Sequence, residues 1–93
     1  MLVKFVSLHR SVNGNYVLKE IMINPKHIVL VQEEPSFKRR LGESHMPQGL
    51  RPEVQFTSIT VSDAPYNKEI VVVGSAAEVE SKIFNKSKQL LRG

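Results

Sequence analysis

Residues 69–91 read EIVVVGSAAEVESKIFNKSKQLL, and the fold turns on the change of period inside them. Glu69 to Val73 is a β-branched run of strand character, closed by Gly74. Ser75-Ala76-Ala77-Glu78 then has the S-x-x-E spacing of a capping box, in which side chains satisfy free backbone N–H groups of a helix's first turn. Beyond it, Ala76, Val79, Ile83 and Leu90 fall on one side of a helix, and Phe84 and Leu91 widen the apolar arc. Lys82, Lys86, Lys88 and Arg92 fall outside that arc, three of them in the last two turns, where they suit the negative end of the helix dipole. Glu78 precedes Lys82 by four residues, the favourable order for a helical ion pair. The spacing predicts a strand over 69–73 and a helix over about 75–91.

Upstream the period is that of strands. VQFTSITVS, residues 54–62, alternates Gln55, Thr57, Ile59 and Val61 with Val54, Phe56, Ser58 and Thr60, and the turn cluster DAPYN follows it. Residues 2–11 and 16–23 are β-rich runs around Asn13-Gly14, the signature of a hairpin closed by a type I′ turn. Asn24-Pro25 turns the chain, and IVLVQ, residues 28–32, is a continuous apolar run that reads as a central strand covered on both faces. Between it and residue 54 lies an excursion over 35–52, PSFKRRLGESHMPQGLRP. The order β-β-β-loop-β-β-α predicts a single α+β domain: an antiparallel five-stranded sheet with one C-terminal amphipathic helix packed on it.

At 93 residues, 41% of them hydrophobic, the chain has material for one core and one domain. It has no cysteine, which excludes disulfides and thiolate chemistry and suits a reducing cytoplasm. The opening MLVKFVSLHR lacks the form of a signal peptide, and no stretch approaches a membrane span, so a cytoplasmic protein with no membrane association is expected. The net charge of +4 is unevenly placed. In 33–53 Lys38, Arg39, Arg40 and Arg51 are balanced by Glu33, Glu34, Glu43 and Glu53, whereas 82–93 carries only cations.

The run Ile70 to Ile83, in which a valine strand enters a Ser-x-x-Glu-Val helix start followed by Lys82-Ile83, resembles the end of the small flagellar FlbD-type proteins. The Asn24-Pro25…Ile28 approach to the third strand is similar to that family's pattern too. The resemblance covers about half of the chain; the DAPYNK turn and the 35–52 excursion are departures from the pattern. It implies a small non-enzymatic protein acting through contacts with larger partners. Met1-Leu2-Val3 opening a strand, and Ala64-Pro65 shortly before Glu69 and a valine strand, also resemble the CsrA-type translational regulators. The RNA-contacting arginine which that family carries after the last strand is replaced here by Gly74-Ser75, and no site residue carries over.

For catalysis the sequence has little. His9, His27 and His45 stand apart, without the i, i+4 pairing of a metal motif, and the five glycines form no phosphate loop, so no metal or cofactor is expected. One enzymatic alternative is a metal-independent ribonuclease with Glu43 as base, His45 as acid and Arg39, Arg40 or Arg51 on the phosphate. For binding it has more. Phe37 beside Lys38, Arg39 and Arg40 offers a ring and phosphate contacts for nucleic acid, which Lys82, Lys86, Lys88 and Arg92 extend if the helix end lies near, as does Arg10 from the hairpin. Phe37, Leu41, Met46 and Leu50 are either tucked onto the sheet or presented as anchors for a protein. The expected function is that of a non-enzymatic regulatory or adaptor module. It binds a larger protein partner through Phe37, Lys38, Arg39, Arg40, His45, Met46 and Arg51, with Lys82, Lys86 and Arg92 at the helix end. Nucleic-acid binding through the same basic residues is the alternative, and a sheet edge offers a route to homo-oligomers.

Overall fold

The structure, a computed structural model, describes the backbone of residues 1–92 and the side chains of residues 1–85. Five strands, β1 (Val3–Arg10), β2 (Tyr16–Ile23), β3 (Ile28–Glu33), β4 (Phe56–Asp63) and β5 (Tyr66–Val73), form one antiparallel sheet in the order β2-β1-β5-β4-β3. A short helix, α1 (Pro35–Lys38), follows β3, and the long helix α2 (Ala76–Arg92) closes the chain. The α+β class and the five-strand-plus-helix order are those the sequence pattern predicts.

Strand alternation divides the core into two layers. On one face Val3, Phe5, Ile23, Ile59 and Val72 pack against Val79 of α2, which lies across β1, β4 and β3. On the other, Leu8 and Phe56 pack against Met46 of the 35–52 segment. Thr57 belongs to the helix face and is fully buried; its Oγ1 donates to the Gly74 carbonyl at 2.8 Å, so its polar atom is satisfied. Gly74 sits at φ +130°, a conformation that L side chains rarely adopt, and it makes the corner from β5 into α2. Ser75 caps the helix, its Oγ accepting from the Glu78 N–H at 3.1 Å. The ion pair predicted between Glu78 and Lys82 does not form. Lys82 turns to the sheet instead, where its Nζ donates to the Lys4 carbonyl at 3.0 Å and lies 5.2 Å from the Phe5 ring centre. Leu90 and Leu91 lie outside the described side chains.

Three local expectations are corrected. The β1–β2 connection is not a type I′ turn over Asn13-Gly14: Gly14 alone of the two has positive φ, at +87°. Gly14 N donates to Ser11 O at 3.0 Å and Ser11 N to Asn15 O at 2.8 Å, a three-residue loop ending in a left-handed glycine. Asn13 has a reason to stay out of the left-handed region, because its Oδ1 accepts from the Asn15 N–H at 3.0 Å. The pairing therefore runs Arg10↔Tyr16 to Val3↔Ile23. Second, β3 is an edge strand, with Val29 and Leu30 exposed. A continuous apolar run has no period to show which faces are covered, and here it carries a bulge between Ile28 and Leu30. Third, β5 begins at Tyr66, because only Ala64-Pro65 is needed to turn the chain between Asp63 and its partner Tyr66.

The closing bond of the β1–β2 loop sets which backbone groups of β2 are free. Since residue 11 bonds residue 15, the odd-numbered residues of β2 direct their N–H and C=O groups to β1, and the even-numbered ones direct theirs outward. The Lys19 carbonyl accepting from Ser7 Oγ at 3.1 Å and the Tyr16 N–H donating to His45 O at 2.7 Å agree with this alternation.

Candidate functional site

The 35–52 segment is a folded cap on the sheet face opposite α2. Pro35 starts α1, and successive turns are closed by Arg40 N to Phe37 O, Glu43 N to Arg40 O and Met46 N to Glu43 O, each at 3.1 Å. Its apolar residues all turn inward: Met46 is 3% exposed, and Phe37, Leu41 and Leu50 are half-buried against the same cluster as Tyr16, Val54, Val71 and Val73. Of the two arrangements open to these four residues, tucked back or presented, the structure has the first. The reason is that the helix covers only one side of the sheet, leaving Leu8 and Phe56 on the other side without cover unless the segment folds over them. Met46, expected among the contact residues, is thus a core residue of the cap.

At the cap's centre Arg40 stands over two aromatic neighbours, its guanidinium carbon 5.3 Å from the Tyr16 ring centre and 5.4 Å from that of Phe37. The Tyr16 and Phe37 rings meet edge to face at 5.3 Å. Arg40 Nη2 stands 2.6 Å from His45 Nε2, and Glu43 Oε2 stands 3.0 Å from that same nitrogen and 3.7 Å from Arg40 Nε. His45 Nε2 serves one neighbour at a time: unprotonated it accepts from the guanidinium, and protonated it donates to the carboxylate. The Glu43, His45 and Arg40 set weighed as a ribonuclease centre does converge, then, but its groups are engaged with one another and with the cap's aromatic rings.

The remaining predicted residues divide between the two sides of the sheet. Lys38 and Arg39 are exposed at the end of α1, and Arg51 is exposed near the return to β4, where it lines a shallow cleft with Leu50 and Val54. Arg10 ends β1 beside Tyr16 and borders a cleft of about 400 Å³ that opens where β1 and β5 part beyond the Ser7↔Val72 pair. Lys82 is exposed on the helix side. The side chains of Lys86 and Arg92 lie outside those described. The thickness of the sheet separates Lys82 from Lys38, Arg39 and Arg51, so the described residues form no single basic stripe joining loop and helix. Among the described residues, no three His, Asp or Glu side chains gather as a metal site.

The sequence reading missed a group beside the cap. Val6 on β1 and Leu18 and Met22 on β2 share the cap's face of the sheet and are 36%, 43% and 61% exposed, with the Lys4–Glu20 ion pair (3.3 Å) set among them. The signal was present in YVLKEIMI, residues 16–23, where apolar residues occupy both parities although one face of an antiparallel strand ordinarily meets water. No helix among the described residues is long and apolar enough to cross a membrane. No family model, curated protein or solved structure matches this chain.

Proposed function

We propose that this protein is a non-enzymatic regulatory or adaptor module that docks onto a larger protein through the cap side of its sheet. The observation that carries this reading is the exposed apolar group Val6, Leu18 and Met22 on a sheet face that the cap covers only in part. Uncovered apolar surface bordered by polar groups is the composition of a protein interface, with an apolar centre and a charged rim. The Lys4–Glu20 pair borders the group directly, and Lys38, Arg39 and Arg51 add exposed cations elsewhere on the cap. Action through larger partners is also what the resemblance to the flagellar proteins implies.

Nucleic-acid docking by the same cations lacks the stacking ring expected at Phe37, which packs between Tyr16 and Phe56. Capture from nuclease-treated lysate, with wild type beside Val6→Asp and Arg39→Glu, tests the reading. A specific protein should be retained by the wild type at raised salt, lost with Val6→Asp and weakened with Arg39→Glu. Capture that disappears on nuclease treatment and falls log-linearly with salt would transfer the role to nucleic acid. Equal retention by Val6→Asp would remove the apolar group from the site.

A further inference from the structure

The sheet has two edges, and they are built differently. β3 is six residues long, carries a bulge between Ile28 and Leu30, and is flanked by Pro25 and Pro35, features that disfavour another strand adding to it. β2 is eight residues long, and its pairing with β1 is regular from Tyr16 to Ile23 with no bulge or proline. Its outward-facing residues are Tyr16, Leu18, Glu20 and Met22, and the N–H of the first is taken by His45 O. That leaves Leu18, Glu20 and Met22, a set symmetric about its middle member.

We infer that β2 pairs antiparallel with β2 of a second copy of this chain, about a two-fold axis through Glu20, making a ten-stranded sheet across the dimer. Antiparallel pairing about an axis perpendicular to the sheet keeps each face on its own side and joins residues of equal parity. In the register centred on Glu20, Leu18 lies opposite Met22 of the second copy and Met22 opposite Leu18, so the two exposed apolar residues of each chain cover each other. On the helix side Val17, 43% exposed, faces Ile23. Tyr16 then falls opposite Asn24, beyond the end of the partner strand, so the N–H that the cap occupies is not one the new ladder needs. A register centred on Leu18 would need that occupied N–H, and one centred on Met22 would leave Leu18 unpaired.

The cost in this register is Glu20 opposite Glu20, like charges directly across the new ladder, each offset by its own Lys4 at 3.3 Å. That cost is the diagnostic feature. Self-pairing does not require the docking face to be occupied; it would set two copies of the Val6, Leu18 and Met22 group side by side.

Sedimentation equilibrium of the purified protein over a range of concentrations tests the inference. The wild type should show a reversible dimer, and Glu20→Gln, which removes the repulsion at the axis, should tighten it by about two- to five-fold. Glu20→Pro deletes an outward N–H that β1 does not use and should give a monomer with unchanged circular dichroism. The chain has no cysteine, so Glu20→Cys introduces one thiol, placed at an antiparallel pair about 5.5 Å apart between Cα atoms, within disulfide range. Mild oxidation should convert it to a covalent dimer far faster than Val12→Cys at the exposed hairpin tip. A wild type that stays monomeric to its solubility limit overturns self-pairing, as does equal crosslinking of the two cysteine variants. A dimer that Glu20→Gln leaves unchanged or weakens overturns the register. Arg39→Glu, on the cap and away from the β2 ladder, should leave the dimer intact, so failure of the docking face and failure of self-pairing read out separately.

Discussion

The two faces of the sheet are covered by different means. On the helix side, Val79 enters a bed of Val3, Phe5, Ile23, Ile59 and Val72, drawn from two hairpins that are distant in sequence. On the cap side, a segment without a long helix is held by Met46 and half-buried apolar residues, by Arg40 lying on Tyr16 and Phe37, and by one backbone bond to β2. The helix brings a repeating apolar stripe and satisfies its own backbone. The cap must satisfy its backbone turn by turn, so it covers less and leaves Val6, Leu18 and Met22 open beside it. A face finished by a loop keeps a margin of exposed sheet, and that margin is where both docking and self-pairing are proposed.

The sharpest way to break this comparison is to create a cavity on each side in turn. Phe5→Ala should cost about 3–5 kcal/mol in urea denaturation, because Phe5 is buried among residues from several strands and its loss loosens the whole sheet. Met46→Ala should cost less, about 2 kcal/mol, since the cap can settle into the space it vacates. Hydrogen exchange should then quicken in residues 35–52 while β4 and β5 keep their protection; loss of protection in both together would mean the faces are one cooperative unit. Smallest is Arg40→Lys, which keeps the charge but gives up the guanidinium's contacts over Tyr16 and Phe37, at about 0.5–1 kcal/mol. A cost equal to that of Met46→Ala would mean that the guanidinium, and not the methionine, holds the cap.

Much of the fold was legible in residues 54–91. Alternation in VQFTSITVS separated Ile59 and Thr57 from Phe56 correctly, and the S-x-x-E start located α2 to within a residue. These signals are local, because period and capping are properties of neighbouring residues. The order of strands was not legible, so IVLVQ read as central although it forms an edge. The type of the first turn was misread for a different, local reason: Asn13-Gly14 suits a type I′ loop, but Asn13 instead accepts a hydrogen bond from the Asn15 N–H, and the register follows that choice.

For the candidate site the division is sharper. Sequence alone established the residue types of the 35–52 segment, its four spaced apolar residues, and the two separate basic clusters, because composition and spacing need no folding to be counted. Only the tertiary structure decided that those four residues point inward and that Arg40 rests on rings from two elements. The same holds for Lys82 standing across the sheet from Lys38, Arg39 and Arg51, and for the outward N–H and C=O groups left on β2. Each of these depends on which face of a shared sheet a distant segment covers, and that is settled by competition for the same buried surface, to which no short stretch of chain has access.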